Sequence, residues 1–166
     1  MDEIKAAQSD ETVELLKDYL GQYTRAKRRQ RRLEGRLKEV RYELDHPIGG
    51  KGYKPFNKAS RNTESKAANL TVQLSECELR IYDQREKTAK DLTKIMDILD
   101  YLDANSDERI ALEMHYIDGY KWERVAEEIP CSRSQAYILR EKGMQKLLEY
   151  KRVRNLLARY SKEQGL

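Results

Sequence analysis

Residues 119–148 have the sequence GYKWERVAEEIPCSRSQAYILREKGMQKLL, and this stretch decides the fold of the C-terminal half. A short run with apolar residues at helical spacing, from Trp122 to Ile129, stops at Pro130, which cannot continue a helix. Ser132 then begins a longer helix, because Ser-x-x-Gln at residues 132–135 fits the capping-box pattern. The predicted buried stripe of that helix is Ala136, Leu139, Gly143 and Leu147, with Met144 beside it.

A further short helix precedes this pair. Ser106 is a predicted N-cap, and Asp107 and Glu108 place negative charge at the positive end of the helix dipole. The helix is predicted to end at Asp118-Gly119. Two short helices, a tight turn and a longer basic helix predict a helix-turn-helix, the motif that places its second helix in the major groove of DNA.

The stretch from Asp107 to Leu147 resembles region 4 of bacterial sigma factors, which recognises a promoter element. Residues 119–129 and 131–139 carry most of this resemblance. The whole chain is similar to phage transcriptional regulators of the RinA and ArpU type, small proteins that switch on late genes. The resemblance implies a DNA-binding late-gene activator that contacts host RNA polymerase in the bacterial cytoplasm. This chain departs from the family pattern at Pro130 in the turn and at Lys121, where a Ser or Thr cap is usual.

The outward face of the longer helix supplies the predicted DNA contacts. We expect base contacts from Arg133, Ser134, Gln135, Tyr137 and Ile138, with the Arg133 guanidinium on a guanine. Gln135 is ambiguous, because an amide used in the capping box cannot also bind adenine. Phosphate contacts are predicted for Ser132, Arg140, Lys142, Lys146, Arg152 and Arg154. The alternative is that residues 133–141 form a plain solvated helix face.

Charge is distributed in blocks along the chain. The net charge is +4 overall, but it is +7 over residues 25–41, −6 over residues 92–130 and +7 over residues 131–162. Clustered Lys and Arg favour a polyanion as partner. Two roles remain open for the first basic block: contact with the DNA backbone, or pairing with acidic faces of the same protein.

The acidic block would repel DNA if it faced the duplex. From the resemblance, we expect Glu123, Glu127 and Glu128 to contact RNA polymerase. A solvated acidic face is the alternative.

The N-terminal half has the pattern of a coiled-coil hairpin. From residue 11 to residue 45, apolar residues recur at alternating spacings of three and four, among them Leu16, Leu33, Leu37, Val40 and Leu44. Two prolines and three glycines at residues 47–55 then predict a turn. A second helix, capped by Asn62 or Thr63, is expected to run to about Ala104. The same seam could instead pair two chains as a homodimer.

These patterns together predict an all-α protein of two parts. Residues 1–104 form a long antiparallel coiled-coil helical hairpin, with its turn and linker at about 47–62. Residues 105–166 form the helix-turn-helix domain, with an extended C-terminal helix. The competing interpretation is a DNA-packaging component, a small terminase subunit, which also joins a helix-turn-helix to oligomerising helices.

Composition and motifs exclude other classes of function. A mean hydropathy of −0.94 and the lack of a long apolar run argue against a membrane protein, and we expect a cytoplasmic one. Two cysteines and two histidines, far apart in sequence, give no metal or disulfide framework. No phosphate loop, nucleophile setting or acid/base constellation is present in the sequence, so we expect neither an enzyme nor a cofactor.

Overall fold

The structure, a computed structural model, describes residues 2–46 and 59–166, and the side chains of residues 10–46 and 65–166. The described part of the chain is all-helical, as the sequence predicts, and contains no strand. Its helices are α1 (Asp2–Leu20), α2 (Gln22–Asp45), α3 (Ala59–Leu99), α4 (Asp107–Tyr116), α5 (Trp122–Glu128), α6 (Arg133–Glu149) and α7 (Lys151–Gln164).

The chain divides into two compact units. Unit 1 comprises Met1–Arg25 and Ala89–Leu166, and unit 2 comprises Ala26–Thr88. This division differs from the predicted boundary at residue 104, because α1 and the end of α3 pack with the C-terminal helices. An apolar stripe indicates which residues are buried but not which helix covers them, so the sequence pattern could not assign α1 to this unit.

The core of unit 1 draws on α1, α3, α4, α5, α6 and α7. Its fully buried side chains are Leu16, Leu20, Ile95, Leu99, Leu112, Val125, Met144, Leu147, Val153 and Leu157. Burial of one such side chain stabilises the fold by about 1.5–3 kcal/mol relative to exposure. Trp122 and Tyr116 are buried in the same core.

Helix α1 is joined to α7 by an aromatic contact and a hydrogen bond. The Tyr160 hydroxyl donates to Oδ2 of Asp18 at 2.5 Å, and its ring meets Tyr19 edge-on with centroids 5.1 Å apart. Burial, followed by the hydrogen bond to Asp18, raises the pKa of Tyr160 to about 12. The buried residues of α7, Val153, Leu157 and Tyr160, stand at spacings of four and three and form one face.

Gly21 separates α1 from α2, where the sequence predicts one continuous helix. The Arg25 guanidinium donates to the Asp18 carbonyl oxygen at 2.9 Å and pairs with its Oδ1 at 3.0 Å. A Cβ at residue 21 would lie 2.9 Å from Nη1 of Arg25. Glycine therefore leaves the space that this guanidinium occupies.

In unit 2, side chains of α2 and α3 are joined by polar contacts: Arg41 with Glu78 at 2.9 Å, Glu34 with Arg85 at 3.0 Å, and the Gln84 amide N–H with the Ala26 carbonyl oxygen at 3.3 Å. The two ion pairs follow one another in opposite order along the two helices, since Glu34 precedes Arg41 on α2 and Arg85 follows Glu78 on α3. Less exposed apolar residues recur at spacings of three and four, among them Leu33, Leu37, Val40 and Leu44 on α2 and Leu70, Leu74, Cys77 and Ile81 on α3.

Both ends of α3 differ from the predicted ones. The helix begins at Ala59, before the predicted cap at Asn62 or Thr63, so residues 59–62 of the predicted linker are helical. The rest of that linker, residues 47–58, lies outside the described residues. At the other end α3 stops at Leu99 rather than near Ala104. The segment between α3 and α4 contains a local turn, in which Oδ1 of Asp103 accepts from the Asn105 N–H at 2.8 Å.

The predicted extended C-terminal helix is in fact two helices, α6 and α7, separated at Tyr150. That residue has extended backbone angles, with φ −79° and ψ 120°. The Arg154 guanidinium donates to the carbonyl oxygens of Leu148 and Glu149 at 2.6 and 2.7 Å. These carbonyls belong to the last turn of α6, where helical partners are missing, so Arg154 stabilises the break.

Candidate nucleic-acid interface

Helix α6 packs on α4 and α5 through its buried side, which leaves its N-terminal outer side exposed. Ala136, Met144 and Leu147 have no exposed surface, and Gly143 is buried close to Leu112 of α4. Ser134 and Ile138, on the other side of α6, are exposed. The predicted stripe is therefore buried except at Leu139, which is half-buried, and the predicted contact face is exposed except at Tyr137.

The start of α6 is fixed by the predicted capping box. Oγ of Ser132 accepts from the Gln135 backbone N–H at 3.1 Å, and Oε1 of Gln135 accepts from the Ser132 N–H at 3.1 Å. Both side chains are thus used to satisfy helix-end donors. The preceding helix, α5, has Lys121 at its N-cap without a side-chain hydrogen bond, so its start is held by packing of Trp122 rather than by a cap.

Arg133 projects from the first turn of α6 and forms an ion pair. Its Nη2 lies 2.5 Å from Oε1 of Glu123 on α5, and both side chains are more than half exposed. A hydrogen bond with the Tyr137 side chain, followed by the negative charge of Glu123, raises the pKa of Arg133. The guanidinium is therefore held at the surface in an orientation set by two other residues. An exposed pair of this kind is weak enough to exchange for another acceptor.

Tyr137 is packed more closely than the sequence predicts for a base-contacting residue. It is half-buried, and its ring lies 6.0 Å from that of Trp122. The guanidinium of Arg140 lies over both rings, at 5.0 Å from Tyr137 and 5.6 Å from Trp122. The His115 ring is also stacked on Trp122, with the ring centroids 4.4 Å apart. Tyr137 thus belongs to an aromatic stack that links α4, α5 and α6.

The predicted phosphate contacts fall into two groups. Lys142 and Arg152 are exposed and form no ion pair with another described residue. The others have partners: Arg140 pairs with Glu141 at 2.8 Å, Lys146 pairs with Glu108 at 2.8 Å, Arg154 caps α6, and the Ser132 hydroxyl caps the same helix at its start.

A groove of about 670 Å³ runs beside the outer face of α6. It is lined by Glu108, Tyr137, Ile138, Glu141, Lys142, Gln145 and Lys146. Four of these residues were predicted as DNA contacts, and the structure brings them to one concave surface. The other three, Glu108, Glu141 and Gln145, were not predicted as contacts. Glu108 could not be, because nothing in the local pattern links the start of α4 to α6.

The two carboxylates in this groove are both compensated by cations. The Lys146 ammonium donates to Glu108, and this hydrogen bond is the main cause of the lowered pKa of Glu108. Glu141 lies 2.8 Å from Arg140 and 3.6 Å from Lys17 of α1. Compensation reduces the repulsion that bare acids would exert on an approaching phosphate.

The three predicted polymerase contacts have different surroundings. Glu123 is paired with Arg133, and Glu128 lies 3.7 Å from Arg124. Glu127 is exposed and has no ion pair with a described residue. The structure therefore leaves Glu127 as the acid most available to a protein partner.

Metal-binding and membrane-spanning features are absent from the described residues. No group of three His, Cys, Asp or Glu side chains there is arranged to hold a metal ion. None of the described helices combines the length and apolarity required to cross a bilayer. Comparison of the chain with protein-family models, curated proteins and solved structures finds no match.

Proposed function

We propose that this protein is a sequence-specific, double-stranded DNA-binding regulator of transcription. The observation that carries the proposal is the outer side of α6: a capped helix, packed on α4 and α5, that presents exposed side chains from its first turns beside a groove. Helix-turn-helix proteins insert the corresponding helix into the major groove with its N-terminal residues toward the base edges. In this proposal α5, the turn at 129–132 and α6 form the helix-turn-helix.

Arg133, Ser134 and Ile138 are the proposed base-contacting residues. Arg133 would exchange Glu123 for the O6 and N7 acceptors of a guanine, and the Ile138 side chain, 51% exposed, would contact a thymine methyl. Gln135 is occupied by the capping box, and Tyr137 by the aromatic stack. These two residues therefore position the helix rather than discriminate bases.

Lys142 and Arg152 are the proposed phosphate contacts, because their charges are exposed and unpaired within the described residues. Lys146 can join them by leaving Glu108, at the cost of a partly buried carboxylate without its partner. Arg140 and Arg154 are better explained as structural residues, since each guanidinium is already bound within the fold.

The finer parts of the proposal follow from the resemblance to sigma region 4 and to phage late-gene activators. In that scheme the protein binds upstream of a late promoter and contacts host RNA polymerase through Glu127 and Glu128. Both side chains are exposed on α5, which supports this assignment. Replacing both with Lys should abolish polymerase recruitment but not DNA binding; recruitment that survives would remove this part.

We further propose that unit 2 is an antiparallel coiled-coil hairpin, supported by the polar contacts between α2 and α3 and by their three-four spacing. Sedimentation or light scattering tests the related questions of stoichiometry. A monomer or dimer agrees with a regulator. A ring of many subunits would instead favour the packaging interpretation.

A binding selection tests the central proposal. Duplexes that bind the purified protein are selected from a random-sequence pool. The selected site is then used to compare the DNA affinities of variants. We expect Arg133→Ala to reduce discrimination at one guanine by about 1–3 kcal/mol, whereas Lys142→Ala should weaken all sequences alike. Arg159→Ala, an exposed cation of α7, is the matched control. No enriched site, or equal losses from Arg133→Ala and Lys142→Ala on specific and random DNA, would overturn the proposal.

A further inference from the structure

Helix α2 carries a stripe of six cations that the proposed function of α6 does not use. They are Arg28, Arg29, Arg31, Arg32, Arg36 and Lys38. All six side chains are exposed, and none has an ion pair or hydrogen bond within the described part of the chain. We call them the α2 stripe.

Among the described side chains, ion pairs with acids of the same protein are seen for Arg25 and Arg41, at the two ends of this basic block. Arg25 pairs with Asp18 at 3.0 Å, and Arg41 pairs with Glu78 at 2.9 Å. Glu34 of α2 is bound to Arg85. Of the two roles that the sequence leaves open, internal pairing is therefore not seen for the six cations of the α2 stripe among the side chains that the structure describes.

The stripe places like charges one helical turn apart. Arg28, Arg32 and Arg36 follow one another at spacings of four, with Glu39 the nearest acid on the same side. Like charges at this spacing repel one another and destabilise a helix. An external anion would therefore stabilise α2 by relieving this repulsion. The regular spacing of the cations fits a polyanion with regularly spaced charges.

Gly35 lies on the same side of α2, three residues after Arg32. Glycine is a poor helix former, so its presence inside a helix calls for a packing reason. A Cβ added at Gly35 would meet nothing within 4 Å, so nothing in the described chain requires glycine there. Glycine also allows another molecule to approach the helix backbone closely. The helix surface at Gly35 is therefore open to an external partner on this side.

The distribution of the stripe around α2 indicates the form of that partner. With 3.6 residues per turn, Arg28, Arg32 and Gly35 lie near a midline, Arg29 and Arg36 on one flank, and Arg31 and Lys38 on the other. The half-buried seam residues Leu33 and Leu37 lie on the opposite side. The cations on both flanks, Arg29 and Arg36 on one side and Arg31 and Lys38 on the other, suit a helix that lies lengthwise between two walls of phosphate.

Groove dimensions favour DNA over double-stranded RNA. The major groove of B-form DNA is about 12 Å wide and admits an α-helix, whereas the major groove of A-form RNA is too narrow. The stripe extends about 15 Å, at 1.5 Å per residue. Guanidinium groups bind phosphate oxygens in a two-pronged geometry, which explains why five of the six cations are Arg.

We propose that the α2 stripe is a second DNA-binding site, which holds the phosphate walls of a duplex major groove without discriminating bases. Binding at this second site requires no base contact from α6, so this proposal can be tested independently of the proposed function.

The test measures binding of the full-length protein to a labelled random-sequence duplex across a series of salt concentrations. The variant Arg29→Gln/Arg31→Gln/Arg36→Gln, which removes three flank cations, is compared with Lys66→Gln/Arg80→Gln/Lys87→Gln, which removes the same charge from exposed positions of α3. We expect the α2 variant to lower the magnitude of the salt slope by about 2.7, or about 0.9 for each phosphate that is no longer neutralised. The α3 variant should leave the slope unchanged.

Gly35→Ala separates groove insertion from charge alone. It changes no charge, so we expect several-fold weaker duplex binding with an unchanged salt slope and no loss of thermal stability. Unchanged affinity would overturn insertion of α2 into the groove.

Two further results would overturn the proposal, and a third separates the α2 site from the α6 site. Equal slopes for the two triple variants would show that only net charge matters and would overturn the site. Competition by double-stranded RNA that equals or exceeds competition by duplex DNA would overturn the choice of DNA. Loss of base preference in Arg133→Ala, with the wild-type slope retained, supports the α6 proposal alone.

Discussion

Unit 1 and unit 2 differ in how they divide apolar and charged side chains. Unit 1 contains all ten fully buried large side chains, whereas the buried residues of unit 2 are Ala26, Ile81, Gln84 and Thr88. The cations around α6 are mostly paired with acids, whereas those of the α2 stripe have no acidic partner among the described side chains. Stability is therefore concentrated in one unit and uncompensated charge in the other.

Two leucines of the same helix give the largest test of this contrast. Leu99 of α3 is fully buried in unit 1, and Leu74 of α3 is half-buried in unit 2. We expect Leu99→Ala to reduce the free energy of unfolding by about 3 kcal/mol, because a buried cavity adds to the lost transfer energy. Leu74→Ala should cost about 1 kcal/mol, since water can fill the vacated space.

Two probes separate the units in this experiment. Fluorescence of Trp122, the single tryptophan of the chain, follows unit 1, and helical circular dichroism follows both units. Equal costs for the two leucine variants would contradict the view that hydrophobic stabilisation is concentrated in unit 1.

Two helical glycines provide the next test, with opposite signs. A Cβ at Gly143 would lie 2.9 Å from Cδ1 of the fully buried Leu112, whereas one at Gly35 would meet nothing within 4 Å. Gly143→Ala should destabilise unit 1 by about 1 kcal/mol after its gain in helix propensity is counted. Gly35→Ala should stabilise unit 2 by up to about 1 kcal/mol. Denaturant titration of each variant measures both values, and a stabilised Gly143→Ala would show that α4 and α6 are loosely packed.

The sequence predicted these helices best where the deciding interactions are local. The caps at Ser106 and Ser132 were correctly identified because each uses donors within three residues. The break at Tyr150 was missed, since it carries neither Gly nor Pro and depends on Arg154 reaching back to the end of α6. The packing of α1 with α7 was missed because Asp18 and Tyr160 are far apart in sequence.

The candidate interface was predictable to the same degree. The two sides of α6 followed from helical periodicity, and the structure agrees except at Leu139 and Tyr137, which are both half-buried. The partners of Arg133, Arg140 and Lys146 could not be predicted, because they lie on other helices or depend on the tilt of an aromatic ring.

A smaller effect is expected from the ion pair beside α6. Glu123→Gln removes the acid that holds Arg133 and also removes a negative charge near the proposed DNA contact. We expect a several-fold gain in duplex affinity, measured by anisotropy at low salt, because association no longer competes with the pair. Glu149→Gln, at the other end of α6, is the control and should change affinity less. Weaker binding of Glu123→Gln would mean that the acid positions Arg133 for its contact.

The smallest expected effect is a pH dependence confined to unit 1. Burial lowers the pKa of His115 below 6.5, although its Nδ1–H donates to the Tyr120 carbonyl oxygen at 2.7 Å. The unfolded chain therefore takes up the proton first as pH falls through about 6.5, and unit 1 loses stability from there down to the folded-state pKa. Thermal unfolding followed by Trp122 fluorescence should show this loss in the wild type and less of it in His115→Gln. His46→Gln, in unit 2, should behave as the wild type.

The hydrogen bond between Tyr160 and Asp18 has a consequence for the order of folding during synthesis. Unit 2 is one continuous segment, so all its residues have been made once residue 88 is in place. Unit 1 is discontinuous, and α1 must wait for α7, more than a hundred residues later, before its partner exists. Closing so long a loop costs entropy and slows folding. We therefore expect newly made α1 to expose its apolar face on the ribosome, where a chaperone would protect it, while unit 2 is already formed.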